Sequence, residues 1–284
     1  MIKCIATDMD GTLLNSMQEI TEENKQAILK AQSQGVEVVV ATGRSYQEAT
    51  YVLNAVGLNC PVICVNGAEV RSKEGEVISA NPIPKQLARE TAAKLSESDV
   101  YFEVYTNQGA YTIDAEKAVS TLVDIVMSAN PEADRDEITV AAGARVRDGL
   151  VHMVNDYEQL FADDAIMIYK FLAFSFEEGK LEVASESLVG LTELEVTKSG
   201  IENIEITHKN AQKGIALEAF TKAKEIDLAD TMAIGDNFND ISMLEKAGRA
   251  VAMGNAGYEI KVLCDVITDT NEESGVGKAI LEVL

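Results

Sequence analysis

The residues best suited to chemistry stand near the N-terminus, where two aspartates separated by one residue precede a glycine. Asp8, Asp10 and Gly11 follow a short apolar segment, residues 2–7, whose pattern is typical of a buried strand. Gly11 lets the chain turn sharply and brings backbone amides close to whatever the two carboxylates hold. Ligands of open α/β sheets bind outside the carboxyl ends of the strands. An ionised aspartate in that position is a metal ligand or a nucleophile, and this spacing permits both.

A second acidic cluster follows another predicted strand, residues 231–234, and comprises Asp236, Asn239 and Asp240. By itself this cluster is equally consistent with the capping turn of the next helix. Lys213 begins the predicted helix that precedes this strand, and a lysine at a helix start is most often solvated. Neither feature alone therefore establishes a catalytic site.

A possible anion site lies between the predicted strand 36–41 and the helix that follows it. Ser45 and Glu48 form the Ser-x-x-Glu capping box of that helix, so Thr42 and Gly43 stand just ahead of its N-terminus. Free backbone amides and the positive end of the helix dipole favour anions there. An ordinary strand-to-helix turn has the same local sequence, and alone it would be the preferred interpretation.

The elements that must position these residues alternate between strand and helix, which predicts a doubly wound parallel sheet. Pro82 and Pro84 interrupt this alternation, and the strands and helices beyond them are grouped as in an α+β module. We therefore predict an α/β fold: a Rossmann-like core with a parallel sheet, formed by residues 1–82 and 202–284, plus an inserted α+β domain of residues 83–201. Asn66-Gly67 and 134–136 are predicted as turns, and 204–206 as the strand that re-enters the core.

Composition narrows the range of functions. The 284 residues carry 24 lysines and arginines against 47 aspartates and glutamates, a net charge of −23. Such a surface repels nucleic acid and anionic membranes. No segment has the pattern of a signal peptide or a membrane span, so we expect a soluble, cytoplasmic protein. The four cysteines lack the spacing of a zinc site, and buried free thiols are expected instead.

Four motifs in order resemble those of the haloacid dehalogenase superfamily of phosphohydrolases, most closely the Cof-type sugar-phosphate phosphatases. They are Asp-Met-Asp-Gly-Thr-Leu-Leu at 8–14, Ala-Thr-Gly-Arg at 41–44, Lys213, and Gly-Asp-x-x-Asn-Asp at 235–240. The resemblance spans the whole chain and identifies residues 83–201 as an α/β cap of the C2 type. Such a cap closes over the active site, here with hinges expected near Pro82 and Ile201, and chooses the substrate.

The resemblance implies a Mg²⁺-dependent phosphatase that acts on small phosphorylated metabolites, sugar phosphates above all. Asp8 would be the nucleophile that forms an aspartyl-phosphate, and Asp10 the general acid and base. The phosphoryl group would be bound by Thr42, Lys213, Asn239 and the amides of Met9 and Gly43. The implied metal ligands are Asp8, the backbone carbonyl of Asp10, and Asp236, with Asp240 holding the metal's waters.

Two alternatives share these motifs: a phosphosugar mutase of the same fold and a non-catalytic protein that binds phosphorylated ligands. A glycosyltransferase also uses an Asp-x-Asp metal site, but that function leaves Lys213 and the 236–240 cluster unexplained. We expect no nucleic acid or membrane partner, and either a monomer or a homodimer. The sequence leaves the physiological substrate, and the cap residues that select it, undetermined.

Overall fold

The computed structural model describes residues 1–130, 132–198 and 201–284. The chain forms two compact units. The first comprises Met1–Asn81 and Asn210–Leu284, and the second comprises Pro82–Lys209.

In chain order, the β-strands of the described residues are β1 (Cys4–Asp8), β2 (Glu37–Ala41), β3 (Val62–Cys64), β4 (Glu69–Arg71), β5 (Val77–Ala80), β6 (Tyr101–Thr106), β7 (Gly109–Thr112), β8 (Val151–Met153), β9 (Ile168–Phe174), β10 (Leu194–Thr197), β11 (Asn203–His208), β12 (Thr231–Gly235), β13 (Arg249–Ala252) and β14 (Val266–Ile267). Their α-helices are α1 (Glu22–Ser33), α2 (Tyr46–Ala55), α3 (Lys85–Glu97), α4 (Ala115–Ala129), α5 (Arg135–Arg147), α6 (Glu158–Ala162), α7 (Lys180–Leu188), α8 (Lys213–Ala223), α9 (Ile241–Lys246), α10 (Tyr258–Leu263) and α11 (Gly275–Val283).

The first unit contains an eight-stranded sheet in the order β14-β13-β12-β1-β2-β3-β4-β5. Neighbouring strands from β14 to β3 are parallel, whereas β4 and β5 are antiparallel. β1 pairs with β12 on one side and β2 on the other, and all of its residues are buried. The arrangement confirms the predicted parallel α/β core and brings the carboxyl ends of β12, β1 and β2 to one edge.

The second unit contains a six-stranded sheet in the order β10-β11-β9-β6-β7-β8, in which only the β7–β8 pair is parallel. One face of this sheet packs on α3, α6 and α7 through buried side chains such as Phe102, Phe171 and Ile206. The unit is therefore α+β in character, as its grouped strands and helices predict.

The predicted re-entry of residues 204–206 into the first unit is wrong. β11 pairs with β9 and β10 in the second sheet, and the division between the units falls at 209/210 rather than at 201/202. Ile204 and Ile206 face the core of the second unit, while Glu205 and Thr207 alternate with them on the opposite face. Such alternation is typical of an antiparallel strand with two different faces, unlike the continuous apolar runs of the parallel core.

The predicted surface turn at 134–136 is also wrong, because a helix begins there. The side chain of Asp134 caps α5 by accepting hydrogen bonds from the amides of Asp136 (2.8 Å) and Glu137 (3.1 Å). Ala142 is the buried residue of this helix, which therefore has almost no apolar face. The sequence carries a clear capping signal but little of the periodicity that identifies a helix.

The cysteines are free thiols; Cys4, Cys60 and Cys64 are buried, as predicted, and Cys264 is partly exposed. Within the described residues, every helix is too short or too polar to cross a lipid bilayer.

A buried polar contact joins the two ends of the first unit. Asn24 of α1 is completely buried; its Nδ2 donates to the Leu13 carbonyl (3.2 Å), and its Oδ1 accepts from the Gly277 amide of α11 (2.7 Å). We expect Asn24→Ala to lower the free energy of unfolding of this unit by about 2–4 kcal/mol, because two buried backbone groups lose their partner. Urea unfolding followed by circular dichroism measures the change.

Gln26→Ala is the matched control, since Gln26 lies on the same helix and bonds only the exposed Glu22 in the contacts described. Its effect should stay within about 0.5 kcal/mol. Equal stabilities of the two variants would contradict the role assigned to Asn24.

Candidate active site

The predicted site residues of the first unit come together at the carboxyl edge of its sheet. Asp8 ends β1 and 9–12 follow it, 42–44 follow β2, and 236–240 follow β12; these three strands are neighbours in the sheet. Parallel strands end at the same edge, so three segments distant in sequence become adjacent. Lys213, the first residue of α8, adds a positive charge to these segments.

The centre of the site is a buried ion-pair triad. The Lys213 ammonium donates to Asp8 Oδ1 (2.5 Å) and to Asp240 Oδ1 (2.6 Å). The side chains of Lys213 and Asp240 are 0% exposed, and that of Asp8 is 7% exposed. Lys213 is therefore not solvated, although lysines at helix starts usually are. Its ammonium group instead bridges two carboxylates.

The triad contains two carboxylates but only one ammonium group, and the pKa values of Asp8 and Lys213 are both raised. Burial and the Asp240 carboxylate raise the pKa of Asp8 well above its usual value, despite the opposing effect of Lys213. Burial lowers the pKa of Lys213, but Asp240 and Asp8 outweigh it and raise that pKa above the ordinary value. Lys213 is therefore cationic, and a further positive charge would stabilise the ionised form of Asp8.

Asp236 joins the cluster through a hydrogen bond from Thr12, whose Oγ1 lies 2.6 Å from Asp236 Oδ1. Burial and Asp240 raise the pKa of Asp236, and the Thr12 hydroxyl opposes this rise. Gly11 has a φ of +78°, and a Cβ on it would lie 2.6 Å from Asp236 Oδ2. Glycine is therefore required at this turn both for its conformation and for the close approach of Asp236.

Asp240 is held by its own loop as well as by Lys213. Its Oδ2 accepts hydrogen bonds from the amides of Asp236 (3.0 Å) and Asn237 (3.1 Å). Both of its oxygens thus have donors, since Oδ1 faces Lys213. A capping box is present, but it belongs to the short 3-10 helix Phe238–Asp240, with Asn237 as the N-cap. Asp240 is the N3 residue of that box and makes no side-chain capping bond to α9.

The carboxylates of Asp8, Asp236 and Asp240 fit a hard divalent cation. One oxygen from each lies within 4.8 Å of the other two. A donor set made only of oxygens is the type that Mg²⁺ and Ca²⁺ prefer. Burial and Asp240 raise the pKa values of Asp8 and Asp236. A cation bound beside these carboxylates would lower both pKa values again.

The side chain of Asp10 lies outside this group of three carboxylates and contacts Arg44 instead. Arg44 Nε donates to Asp10 Oδ2 (2.9 Å), and a terminal nitrogen donates to Asp10 Oδ1 (2.5 Å). Arg44 also donates to the side-chain carbonyl of Gln18. The Asp10 side chain is 47% exposed, so the two motif aspartates occupy very different environments.

The other predicted phosphate-binding residues lie in the segments that follow β1, β2 and β12. Thr42 is fully buried, and its hydroxyl accepts from the Arg44 amide (3.1 Å) ahead of the Ser45–Glu48 capping box. The Asn239 side chain donates to Asn66 Oδ1 (3.2 Å), an atom that also lies 3.2 Å from the position of a Cβ on Gly43. The carbonyl of Met9 accepts from the Leu14 amide (2.8 Å) and so closes the first turn.

The sequence argument assigned no role to Thr12 or Asn66. Thr12 lies within the first motif, and its position before two leucines gives no sign of its contact with Asp236. The Asn66-Gly67 sequence predicts only a turn, although it comes after a buried strand that ends at the same edge of the sheet. That position is the signal that would have identified Asn66.

The second unit has a buried polar cluster on the sheet face opposite its helices. Lys170 of β9 is 3% exposed, lies 3.4 Å from Glu205 Oε1 and sits over the Tyr105 ring, 4.5 Å from its centroid. Glu103, 2% exposed, accepts from the hydroxyl of Tyr101 (3.3 Å). Buried charges cost stability unless they are paired, and here Lys170 is paired with Glu205.

The comparisons with known proteins cover both units. The sequence model of the haloacid dehalogenase-like hydrolases matches residues 5–280. Phosphatase YwpJ of Bacillus subtilis is 37% identical over 285 residues, which cover 100% of both chains. The 5-amino-6-(5-phospho-D-ribitylamino)uracil phosphatase YwtE of the same organism is 35% identical over 284 residues, 100% of this chain and 98% of the relative. The solved structure of a haloacid dehalogenase-like hydrolase from Bacillus subtilis has a TM-score of 0.86 and 37% identity, with 100% of both chains covered.

The triad generates a prediction about stability. Lys213→Met leaves Asp8 and Asp240 buried without the cation between them, so we expect the free energy of unfolding to fall by about 3–5 kcal/mol in metal-free buffer. Added Mg²⁺ should restore part of this loss by neutralising the same carboxylates. Thermal unfolding with and without MgCl₂ measures both effects.

Lys246→Met is the control, because Lys246 pairs with Glu218 on the surface, and such pairs contribute about 1 kcal/mol or less. A Lys213→Met protein as stable as the control and insensitive to Mg²⁺ would contradict the triad's role.

Proposed function

This chain belongs to the haloacid dehalogenase-like hydrolase family and is a phosphoric monoester hydrolase, and from this premise we propose its catalytic mechanism and its class of substrate. We propose that it hydrolyses small phosphorylated metabolites, with sugar phosphates as the main class, through an aspartyl-phosphate on Asp8 and with Mg²⁺ as its metal. The observation that carries the proposal is the buried contact of Lys213 with Asp8 and Asp240 at the end of β1.

Asp8 is the proposed nucleophile because it is rigidly placed and faces the cationic side of the site. In the first step an Asp8 carboxylate oxygen attacks phosphorus in line with the leaving oxygen. The bond between phosphorus and the leaving oxygen breaks, and Asp10 donates a proton to that oxygen. The organic alcohol leaves, and the phosphoryl group remains on Asp8.

The second step returns the enzyme to its starting state. Asp10, now ionised, takes a proton from water while the water oxygen attacks phosphorus. The bond between phosphorus and Asp8 breaks, which releases inorganic phosphate. Both Asp10 oxygens accept from Arg44 in the structure, and each keeps a second lone-pair position at which it can carry the proton.

The remaining residues of the first unit would bind the phosphoryl group as its charge shifts. The Lys213 ammonium, the Thr42 hydroxyl, the Asn239 amide and the backbone amides of Met9 and Gly43 are the proposed donors. Donors that are already oriented are worth more in a water-poor site than in solution. The buried positions of Lys213 and Thr42 meet that condition.

Asp8 and Asp236, together with the backbone carbonyl of Asp10, would hold the metal, and Asp240 would hold its water molecules. Mg²⁺ is preferred because it keeps several waters and binds through one or two carboxylates plus substrate phosphate. When bound, the ion neutralises phosphoryl charge and orients the group for in-line attack.

Small substrates are favoured by charge and by the second unit. The net charge of −23 disfavours polyanions, so attraction is limited to the local positive charges of the site. The relative YwtE is named as a phosphatase of 5-amino-6-(5-phospho-D-ribitylamino)uracil, whose phosphate is on a ribityl group. We assign the choice of leaving group to the second unit, where Lys170, Glu103 and Glu205 offer donors and acceptors suited to hydroxyl groups.

The nucleophile is tested by Asp8→Asn. An amide keeps the size of the side chain but cannot attack phosphorus, so phosphate release from p-nitrophenyl phosphate should fall to below about 1% of wild type with folding unchanged. Asp230→Asn, at the opposite end of β1, is the control and should keep full activity. Retention of more than a few per cent of activity by Asp8→Asn would overturn the assignment, on the expectation of about 10²-fold or larger losses.

The metal is tested by chelation. Phosphate release should stop in excess EDTA, return on addition of Mg²⁺ and remain low with Ca²⁺, whose larger and looser coordination shell misplaces the nucleophile. Full activity in excess chelator would contradict the acidic-cluster argument.

Thr12→Val provides a finer metal test, because it removes only the hydroxyl that orients Asp236. The Mg²⁺ concentration for half-maximal activity should rise about tenfold, as is usual when a ligand loses its orienting partner.

The substrate assignment is tested by Lys170→Met. We expect kcat/KM for sugar phosphates to fall about tenfold, the effect of one lost hydrogen bond to a charged group, while p-nitrophenyl phosphate is hydrolysed as before. Lys180→Met, at a partly exposed lysine of the same unit, is the control and should leave the kinetics with both substrates unchanged. An unchanged ranking of sugar phosphates in Lys170→Met would show that this cluster does not select the substrate.

A further inference from the structure

The turn after β3 has a strained backbone, because two residues other than glycine have positive φ angles. Val65 has a φ of +49° and Asn66 a φ of +55°, and Gly67 follows at +102°. Non-glycine residues rarely occupy this left-handed region, and a β-branched residue such as valine is an outlier there. Strain of this kind persists only where the surroundings impose it, and it is concentrated at functional sites.

The strained turn contacts two segments that hold predicted phosphate ligands. The Val65 amide donates to the Arg44 carbonyl (2.9 Å), and the Asn66 amide donates to the Thr42 carbonyl (2.9 Å). A Cβ on Gly67 would lie 2.4 Å from the carbonyl oxygen of Gln212, the residue before Lys213. The turn is therefore packed between the Thr42 segment and the start of α8.

The Asn66 side chain reaches a third segment. Its Oδ1 accepts from Asn239 Nδ2 at 3.2 Å and lies 3.2 Å from the position of a Cβ on Gly43. One strained residue thus touches Asn239 directly and lies beside Gly43. Both are proposed to bind the phosphoryl group.

We propose that Asn66 is a positioning residue of the phosphate site, which acts by orienting the side-chain amide of Asn239. The inference rests on the proposed function, in which Asn239 donates to a phosphoryl oxygen. A primary amide has two N–H groups. When Asn66 Oδ1 accepts one of them, the amide plane is fixed and the other N–H keeps one direction. A donor oriented before the substrate arrives loses less freedom on binding than a mobile one.

The competing explanation is that Asn66 only forms the turn, since asparagine tolerates the left-handed region better than most residues. Asn66→Gly separates the two roles. Glycine removes the strain and the side chain together, so a mere turn former would become more stable and stay fully active. A positioning residue would become more stable and lose activity.

The experiment compares wild type, Asn66→Gly, Asn66→Ala, Asn239→Ala and the double variant Asn66→Gly/Asn239→Ala in Mg²⁺ buffer. Steady-state kinetics with p-nitrophenyl phosphate give kcat and KM, calorimetry gives the affinity for inorganic phosphate, and thermal unfolding gives stability. Glu225→Gly is the control, because Glu225 is exposed and has a similar φ of +56° away from the site.

We expect Asn66→Gly and Asn66→Ala to lose about tenfold in kcat/KM and in phosphate affinity, as one lost orienting contact does. Asn66→Gly should unfold at or above the wild-type temperature, and Asn66→Ala below it. The double variant should be no worse than Asn239→Ala alone, because Asn66 acts through Asn239. Glu225→Gly should gain stability without a change in activity.

Two results would overturn the inference: wild-type kinetics and phosphate affinity in Asn66→Gly, or additive losses in the double variant. A wild type that binds phosphate without hydrolysing the ester would instead overturn the proposed function, while the affinities would still decide the role of Asn66. A wild type that neither binds phosphate nor hydrolyses the ester would overturn both.

Discussion

The structure of the first unit depends on one buried ammonium group between two buried carboxylates. Lys213 is 0% exposed and contacts Asp8, the last residue of β1, and Asp240, in the loop that follows β12. Two such carboxylates repel each other in a medium of low polarity, so the strand ends can meet only if a cation is placed between them. The start of α8 is therefore fixed by electrostatics as much as by packing. Thr12, Gly11 and the Asp240 loop are arranged around that fixed point.

The two units carry different kinds of polar burial. In the first unit the buried charges lie at strand ends, where loops supply backbone donors and a further cation can approach. In the second unit they lie in the middle of strands, with Lys170, Glu205 and Tyr105 on one sheet face. Strand ends suit a reaction that needs precise alignment of several loops. Buried charges in mid-strand must instead be paired with neighbouring side chains on the same sheet face.

The parallel core and the grouping of the acidic residues were predictable because both follow from local signals. Apolar strands that end in Asp8, Thr42 or Asp236 converge whenever the sheet is parallel, whatever the rest of the chain does. The Asn66–Asn239 contact was not predictable, because it joins two loops far apart in the chain and no pattern in either loop indicates the other as its partner. The sequence alone assigns β11 to the wrong sheet, because the alternating polarity of residues 204–207 is compatible with the sheet of either unit. Only the pairing with β9 decides between them. Nor does any local pattern place the Asp10 side chain on Arg44.

The sheet order has a consequence for how the protein is made. β1 lies between β2 and β12, so one hydrogen-bonding edge of this fully buried strand stays unpaired until residues 231–235 are made. Residues 82–209, which form a compact unit from one continuous stretch, leave the ribosome in between. Domains fold as units during synthesis. The second unit can therefore complete its fold while β1 still has an unpaired apolar edge, and such edges are prone to join other chains. A nascent chain of this design therefore carries an unpaired strand edge until β12 has been translated.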